Sequence, residues 1–199
     1  MPIVIRGLKK AFEGKTVLDG LSLTLPDTGV VAVMGPSGAG KTTFVNILMG
    51  LTAPDAGQIT GLAGKRFTAV FQEDRLLEGW SAVRNIRLVC PRGTPDQLIR
   101  EHLGALGLGR DSDALSPVRT LSGGMRRRVA LARAMLPEGD VVVLDEPFKG
   151  LDDQARGNAA RYILQNARGR LVLLITHDPD EAAALGAAHT VTIGAAPAV

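Results

Sequence analysis

The chain has 199 residues, 45% hydrophobic and 22% charged, a globular composition that excludes a disordered chain and is long enough for one domain, with or without a sub-lobe. The net charge of +3, from 23 basic and 20 acidic residues, is too small for a nucleic-acid footprint, and aromatic residues at 4% are too few for a base-stacking surface. One cysteine, Cys90, excludes an intramolecular disulfide and reads as a small buried or neutral thiol.

The start, MPIVIRGLKK, reaches basic residues at once and lacks the apolar stretch of a secretory signal. Residues 3–8 alternate as a strand does, and VLDGLSLTL (17–25) alternates more clearly, with Val17, Leu21, Leu23 and Leu25 apolar. VVAVM (30–34) is a continuous apolar run, the pattern of a strand buried on both faces of a parallel sheet. It leads into GPSGAGKTT (35–43) and a helix on which Phe44, Ile47, Leu48 and Leu51 recur at helical spacing. From Gln72 to Pro137 the texture becomes helical, with stretches at 81–89, 95–106 and 122–136 broken by Gly and Pro. Two further apolar runs follow, VVVL (141–144) and LVLLI (171–175), ending in Asp145-Glu146 and Thr176-His177. In open parallel sheets the ligand lies beyond the carboxyl ends of the strands, so the three polar endings are expected to converge on one site. HTVTIG (189–194) is strand-like, and the tail GAAPAV (194–199) reads as a frayed end. No apolar run approaches the roughly 18 residues of a membrane span, so a soluble, cytosolic chain is expected, with any membrane role exercised through a partner.

Gly35-Pro36-Ser37-Gly38-Ala39-Gly40-Lys41-Thr42 matches G-x-x-x-x-G-K-[ST] in full, between an apolar strand and a helix. Glycines let backbone N–H groups turn inward around phosphate, Lys41 neutralises the outer phosphate oxygens, and the Thr42 hydroxyl suits Mg²⁺. An acid that ends a buried strand is costly unless it meets a cation, so Asp145 is the candidate to hold that Mg²⁺ and Glu146 the candidate base for an attacking water. The arginines 126–128 read as a solvated helix face, because Val129, Ala132 and Met135 define the opposite side.

These segments together resemble the nucleotide-binding subunit of an ATP-binding cassette transporter. The resemblance rests on the phosphate loop (35–42), LSGGM (121–125), VVVLDEP (141–147), GLDD (150–153) and His177, in that order, and covers nearly the whole chain. It implies an α/β fold: a P-loop NTPase (RecA-like) core with a mainly parallel sheet, N-terminal antiparallel strands and an inserted helical subdomain. The single domain 1–199 would divide into a core (1–72 and 138–199) and a helical subdomain (73–137). It implies ATP and Mg²⁺ as ligands, held by residues 35–42 together with Thr43, and Gln72 as the glutamine that senses Mg²⁺ and the attacking water. His177 would touch the γ-phosphate, and Phe12 would stack on adenine or pack in the core. Lys41, Gln72, Glu146 and His177 would be the catalytic set, with Thr42, Gln72 and Asp145 around the metal. Ser122, Gly123 and Gly124 would complete the site from a second, head-to-tail copy, and Asp152 of the GLDD motif would belong to the nucleotide-binding set. Two positions depart from the commoner family pattern: Met125 stands where Gln is usual, and Lys149-Gly150-Leu151 replaces Ser-Ala-Leu.

The segments VFQEDRLLEGWSAVRNI (70–86) and DEPFKGLD (145–152) are similar to the importer branch that handles nitrate, sulfonates, taurine or thiamine precursors. That likeness implies separate transmembrane permease subunits contacted through 74–80, with Leu76, Leu77 and Trp80 as apolar contacts; for Trp80 packing within the helical lobe is the other reading. It also implies an extracytoplasmic solute-binding protein in the same system, residence at the inner face of the cell membrane, and no nucleic-acid partner. The chain ends soon after 194, so no added regulatory domain is expected. Two alternatives stay open at this stage: an exporter subunit, and a regulatory or assembly module that does not transport.

Overall fold

The computed structural model describes residues 1–167 and 169–194. The tail at 195–199, expected to fray, lies outside the described residues. Strands β1 (Ile3–Phe12), β2 (Lys15–Leu25) and β4 (Ala56–Thr60) form an antiparallel sheet in the order β2-β1-β4. Strands β3 (Gly29–Met34), β5 (Phe67–Val70), β6 (Val141–Asp145), β7 (Leu171–Ile175) and β8 (His189–Thr192) form a second sheet in the order β5-β6-β7-β3-β8, every pairing parallel. Helix α1 (Lys41–Leu48) follows β3. Between β5 and β6 lie α2 (Ala82–Arg87), α3 (Asp96–Ala105), α4 (Asp111–Leu115), a 3-10 turn (Val118–Thr120) and α5 (Gly123–Met135); α6 (Asp153–Asn166) and α7 (Pro179–Ala184) complete the chain.

The expectation that the apolar runs are strands buried on both faces holds for β6 and β7, whose every residue is buried. Their side chains alternate between two apolar layers. Val31, Val33, Val143, Leu173 and Ile175 face α1 and the antiparallel sheet, joining Phe44, Ile47, Ile3, Ile5 and Leu25. Ala32, Val142, Leu144, Val172 and Leu174 face the other way, onto a layer shared with Val83, Ile99, Leu103, Leu131 and Tyr162 of the helices. The helical insertion therefore packs directly on one face of the parallel sheet.

Register sets the site. Val33 of β3 pairs with Ile175 of β7, and Ile175 pairs with Asp145 of β6, so the three central strands end level. The phosphate loop, Asp145-Glu146 and Thr176-His177 thus leave the sheet side by side.

Three sequence expectations need correction. Leu51, which helical spacing puts on one stripe with Phe44, Ile47 and Leu48, lies beyond the end of α1 and is 59% exposed. The helix stops at Leu48 because Gly50 takes a left-handed φ of 71°, its N–H bonding Ile47 O at 3.0 Å while Leu51 N–H reaches back to Asn46 O at 2.8 Å. That paired closure needs a residue without Cβ strain, which Gly50 supplies. Second, β4 and β5 went unseen: AGQIT is mostly exposed and FTAV has only four residues, so neither carries a period. Third, the arginines 126–128 are not a solvated face. Arg127 is buried, and Arg126 and Arg128 are partly buried, donating to Leu121 O at 3.0 Å and Leu106 O at 2.8 Å.

Leu173 sits mid-strand in the central β7 and is fully buried. Leu173→Ala should lower unfolding stability by about 2–5 kcal/mol through lost transfer energy and a residual cavity, measured by urea denaturation.

Candidate functional site

The loop after β3 is shaped by what its neighbours exclude. A Cβ on Gly35 would stand 2.3 Å from Ile193 O, and the backbone there has φ of 143°, so no side chain fits. Gly40 caps α1 in a left-handed conformation (φ 99°), with no side-chain cap and no acid in the first turn. The first N–H groups of a helix have no partner within it, so Lys41, Thr42 and Thr43 present free donors at the positive end of the helix dipole. This is an anion site by construction. The Lys41 ammonium donates to Gly35 O at 2.7 Å and to Pro36 O at 2.9 Å, and Ala39 N–H donates to Pro36 O.

Asp145 closes β6 with only 5% exposure. The Thr42 hydroxyl donates to its Oδ2 at 3.3 Å. Burial, and next the Glu146 carboxylate beside it, push its pKa above the usual carboxylate range; the Thr42 hydrogen bond and the charges of Arg127 and Lys41 oppose the rise. Glu146 is one of three non-glycine residues at positive φ (47°) among the described residues. Such a conformation costs about 1–3 kcal/mol and persists only where the surroundings over-determine it. Its N–H donates to Ile175 O at 2.9 Å, while its carboxylate lies 3.5 Å from Lys149 Nζ and 3.7 Å from His177 Nδ1.

A cleft of about 570 Å³ gathers Ser37, Gly38, Gly40, Lys41, Thr42, Thr43, Gln72, Asp145, Glu146 and His177, with Val17 and Ile175 as apolar wall. The volume is that of a small-molecule site. Gly35, Pro36 and Ala39 shape the loop from behind and do not line it. Thr176, expected to converge with the rest, is buried and turned toward α7: its hydroxyl donates to Glu181 Oε2 and accepts from Asp178 N–H. Phe12 is 47% exposed and outside this lining, which removes the core-packing alternative; the Lys10 ammonium lies 5.2 Å from its ring centroid.

The second helix end is elsewhere. Ser122, Gly123 and Gly124 line another cleft, of about 540 Å³, with Asp152, Lys149, Gly150 and Arg128; none of the first four lines the phosphate-loop cleft. Gln72 lines both. The Ser122 hydroxyl accepts from Met125 N–H at 3.2 Å and Asp152 accepts from Ala155 N–H at 2.8 Å, so both residues also serve as helix caps.

Val17, Ile175 and Arg127 were missed as site residues. For Arg127 a signal existed. It lies at i, i+3, i+4 and i+7 with Ala130, Leu131 and Ala134, all buried, so it belongs to the inward stripe of α5.

The ABC transporter family model matches residues 18–149. The aliphatic sulfonates import ATP-binding protein SsuB 1 of Nocardia farcinica is 40% identical over 190 residues, 92% of this chain and 74% of that protein. The Nod factor export ATP-binding protein I of Ralstonia nicotianae is 39% identical over 194 residues, 89% of this chain and 60% of that protein. Among solved structures, the dimeric structure of MJ0796, a bacterial ABC transporter cassette, superposes with a TM-score of 0.83 at 24% identity, covering 96% of this chain and 94% of that one.

Because the folded protein holds the Asp145 proton more tightly than the unfolded chain does, ionising Asp145 costs stability as pH rises from the unfolded carboxylate range through its raised folded value. In metal-free, nucleotide-free buffer Asp145→Asn should therefore melt above wild type at pH 7, with the gap closing on acidification. An Asp145→Asn protein that melts lower at every pH would contradict this.

Proposed function

Because the chain belongs to the ABC transporter family, whose ATP-binding subunits power transport, we propose that it is the ATPase of an importer for a small solute, working as a head-to-tail pair with separate membrane subunits. The observation that carries the reading is the gathering of Lys41, Thr42, Gln72, Asp145, Glu146 and His177 in one cleft while the Ser122 helix end opens onto another. In this reading the phosphates of ATP lie on the free N–H groups of the loop and α1, and the Lys41 ammonium exchanges its loop carbonyls for phosphate oxygens. Glu146 holds a water in line with the γ-phosphate and takes its proton, and Lys41 and His177 stabilise charge developing on the phosphoryl oxygens. The left-handed turn at Glu146 aims its carboxylate into the cleft, beside His177.

The donor set fits Mg²⁺. Asp145 is a buried carboxylate burdened by a second carboxylate, and the Thr42 hydroxyl and Gln72 amide reach the same cleft, giving oxygen ligands alone. Thr42, Asp145 and Gln72 would hold the ion, which when bound neutralises phosphate charge.

Ser122, Gly123 and Gly124 of one copy would meet the γ-phosphate held by the other, with Asp152 beside them and the dipole of α5 assisting. Phe12, exposed at the end of the β1–β2 hairpin, is free to stack on adenine. The helical segment 73–137 supplies the contact to the permease subunits: around 74–80, Leu77 and Trp80 are 42% and 36% exposed, and Arg84 covers the Trp80 ring. Among the described residues no helix is long and apolar enough to cross a membrane, so attachment at the inner face would run through those subunits. An extracytoplasmic solute-binding protein would deliver the cargo. The export reading keeps one specific support, the similarity to Nod factor export proteins.

Glu146→Gln should keep ATP binding and lose at least about a hundredfold in hydrolysis, measured by phosphate release; turnover at the wild-type rate would remove the base assignment. In the Glu146→Gln background, Ser122→Arg should abolish ATP-dependent dimers in size-exclusion runs while leaving ATP binding to the monomer. Loss of both together would place the Ser122 helix end in its own subunit's site. With the permease subunits reconstituted, stimulation of ATPase activity by a solute-loaded binding protein supports import, and its absence favours export.

A further inference from the structure

We propose that Arg127 is a positioning residue for ATP hydrolysis: one buried guanidinium ties the segment that carries Gln72 to the backbone of Asp145 and Glu146, so that the two sides of the catalytic cleft hold one geometry. This rests on the assignment of Glu146 and Gln72 made above.

The contacts are few and directional. One terminal nitrogen of Arg127 donates to Phe71 O at 2.6 Å and to Asp74 Oδ1 at 3.0 Å. The other donates to Asp145 O and to Glu146 O, the latter at 2.7 Å. Gln72 lies between the first two acceptors in sequence, and the carbonyls of the metal-binding and base candidates are the other two. The side chain is only 4% exposed, and Asp74 is its sole carboxylate partner among the described residues. Burying a guanidinium with one counter-charge is costly, and Arg127 Nε finds no acceptor among the described residues, which adds to that cost. A residue whose role was packing alone would be better served by an apolar side chain of similar volume.

What the arrangement supplies is constraint on strained backbone. Besides Glu13 in the β1–β2 turn, the described non-glycine residues at positive φ are Arg75 (49°), three residues after Gln72, and Glu146 (47°), just past the end of β6. Both are fastened by arginines of α5. Arg127 takes Glu146 O, while Arg133 takes Arg75 O at 2.7 Å and Asp74 O at 2.6 Å. Arg133 touches the Gln72 side only; Arg127 alone of the two spans to β6. Because the fork offers parallel donors in a fixed plane, it sets angles as well as distances, which an ammonium cannot do. Displacing a water-orienting carboxylate by an ångström is enough to cost about a hundredfold in rate.

The test compares Arg127→Gln, Arg127→Lys, Asp74→Asn and the Arg127→Gln/Asp74→Asn double variant with wild type and with Glu146→Gln. Equilibrium ATP binding and melting temperature are measured beside steady-state kinetics. Arg127→Gln should lower kcat about tenfold or more, with KM and ATP affinity within about twofold of wild type. Arg127→Lys, which keeps the charge without the fork, should recover part of that loss. The double variant should be no slower than the slower single variant, because both substitutions break one linkage. Wild-type kcat in Arg127→Gln, or a loss that merely follows lost ATP binding or melting below the assay temperature, overturns the proposal. If Arg127→Gln cannot be purified, Arg127→Lys decides: reduced kcat at unchanged ATP affinity supports the linkage, and unchanged kcat overturns it. Should Glu146→Gln itself turn over ATP normally, it is the base assignment that fails. An inactive Glu146→Gln beside a fully active Arg127→Gln refutes the Arg127 role alone.

Discussion

The parallel sheet governs the rest of the molecule because its central strands are covered on both faces. Along β6 and β7 every residue is buried, so a polar residue has nowhere to stand except at a strand end. Parallel pairing brings like ends together, and the register Val33–Ile175–Asp145 makes them end at one level. Polar chemistry is expelled from the sheet along a single line. The cleft is where that line meets the uncapped start of α1.

Concentrating charge there raises a second problem. Asp145 and Glu146 are adjacent acids, one of them buried, and the elevated pKa of Asp145 records the strain. Several elements around the cleft contribute something positive or proton-donating: the Thr42 hydroxyl and Lys41 from α1, Lys149 from the loop after β6, His177 from the end of β7 and Arg127 from α5. A cation between Thr42 and Asp145 would answer the imbalance that remains.

The helical insertion is tied to this chemistry through α5. Its start, at Ser122, and the buried Arg127 both line the second cleft, while the Arg127 guanidinium donates to the backbone of Asp145 and Glu146, which line the first. One helix therefore borders the second cleft and is hydrogen-bonded to the backbone of the first, and Gln72, lining both clefts, sits in the segment that α5 arginines hold. In this arrangement a shift of α5 is felt at Glu146 as well as at Ser122.

The sequence by itself determined the elements whose residues carry a period or a motif. VVAVM, VVVL and LVLLI are unbroken apolar runs, GPSGAGKTT has fixed spacing, and the three stretches in the insertion are helix-like segments bounded by Gly and Pro, so each is legible locally. Strands β4 and β5 were not, because AGQIT and FTAV owe their conformation to pairing with β1 and β6 rather than to their own pattern. Thr176 was read as facing the site, but packing against α7 decided its direction. Arg127 was read as solvated because charge is a poor guide where several carbonyls from distant segments converge; those acceptors come from residues 71, 74, 145 and 146, and only the tertiary structure brings them to one guanidinium. Local pattern thus specified which groups the chain possesses, while the level ending of three parallel strands and the seating of α5 against them decided which groups act on one another. Hydrogen bonds between segments so far apart in sequence depend on packing, and a single sequence does not display packing.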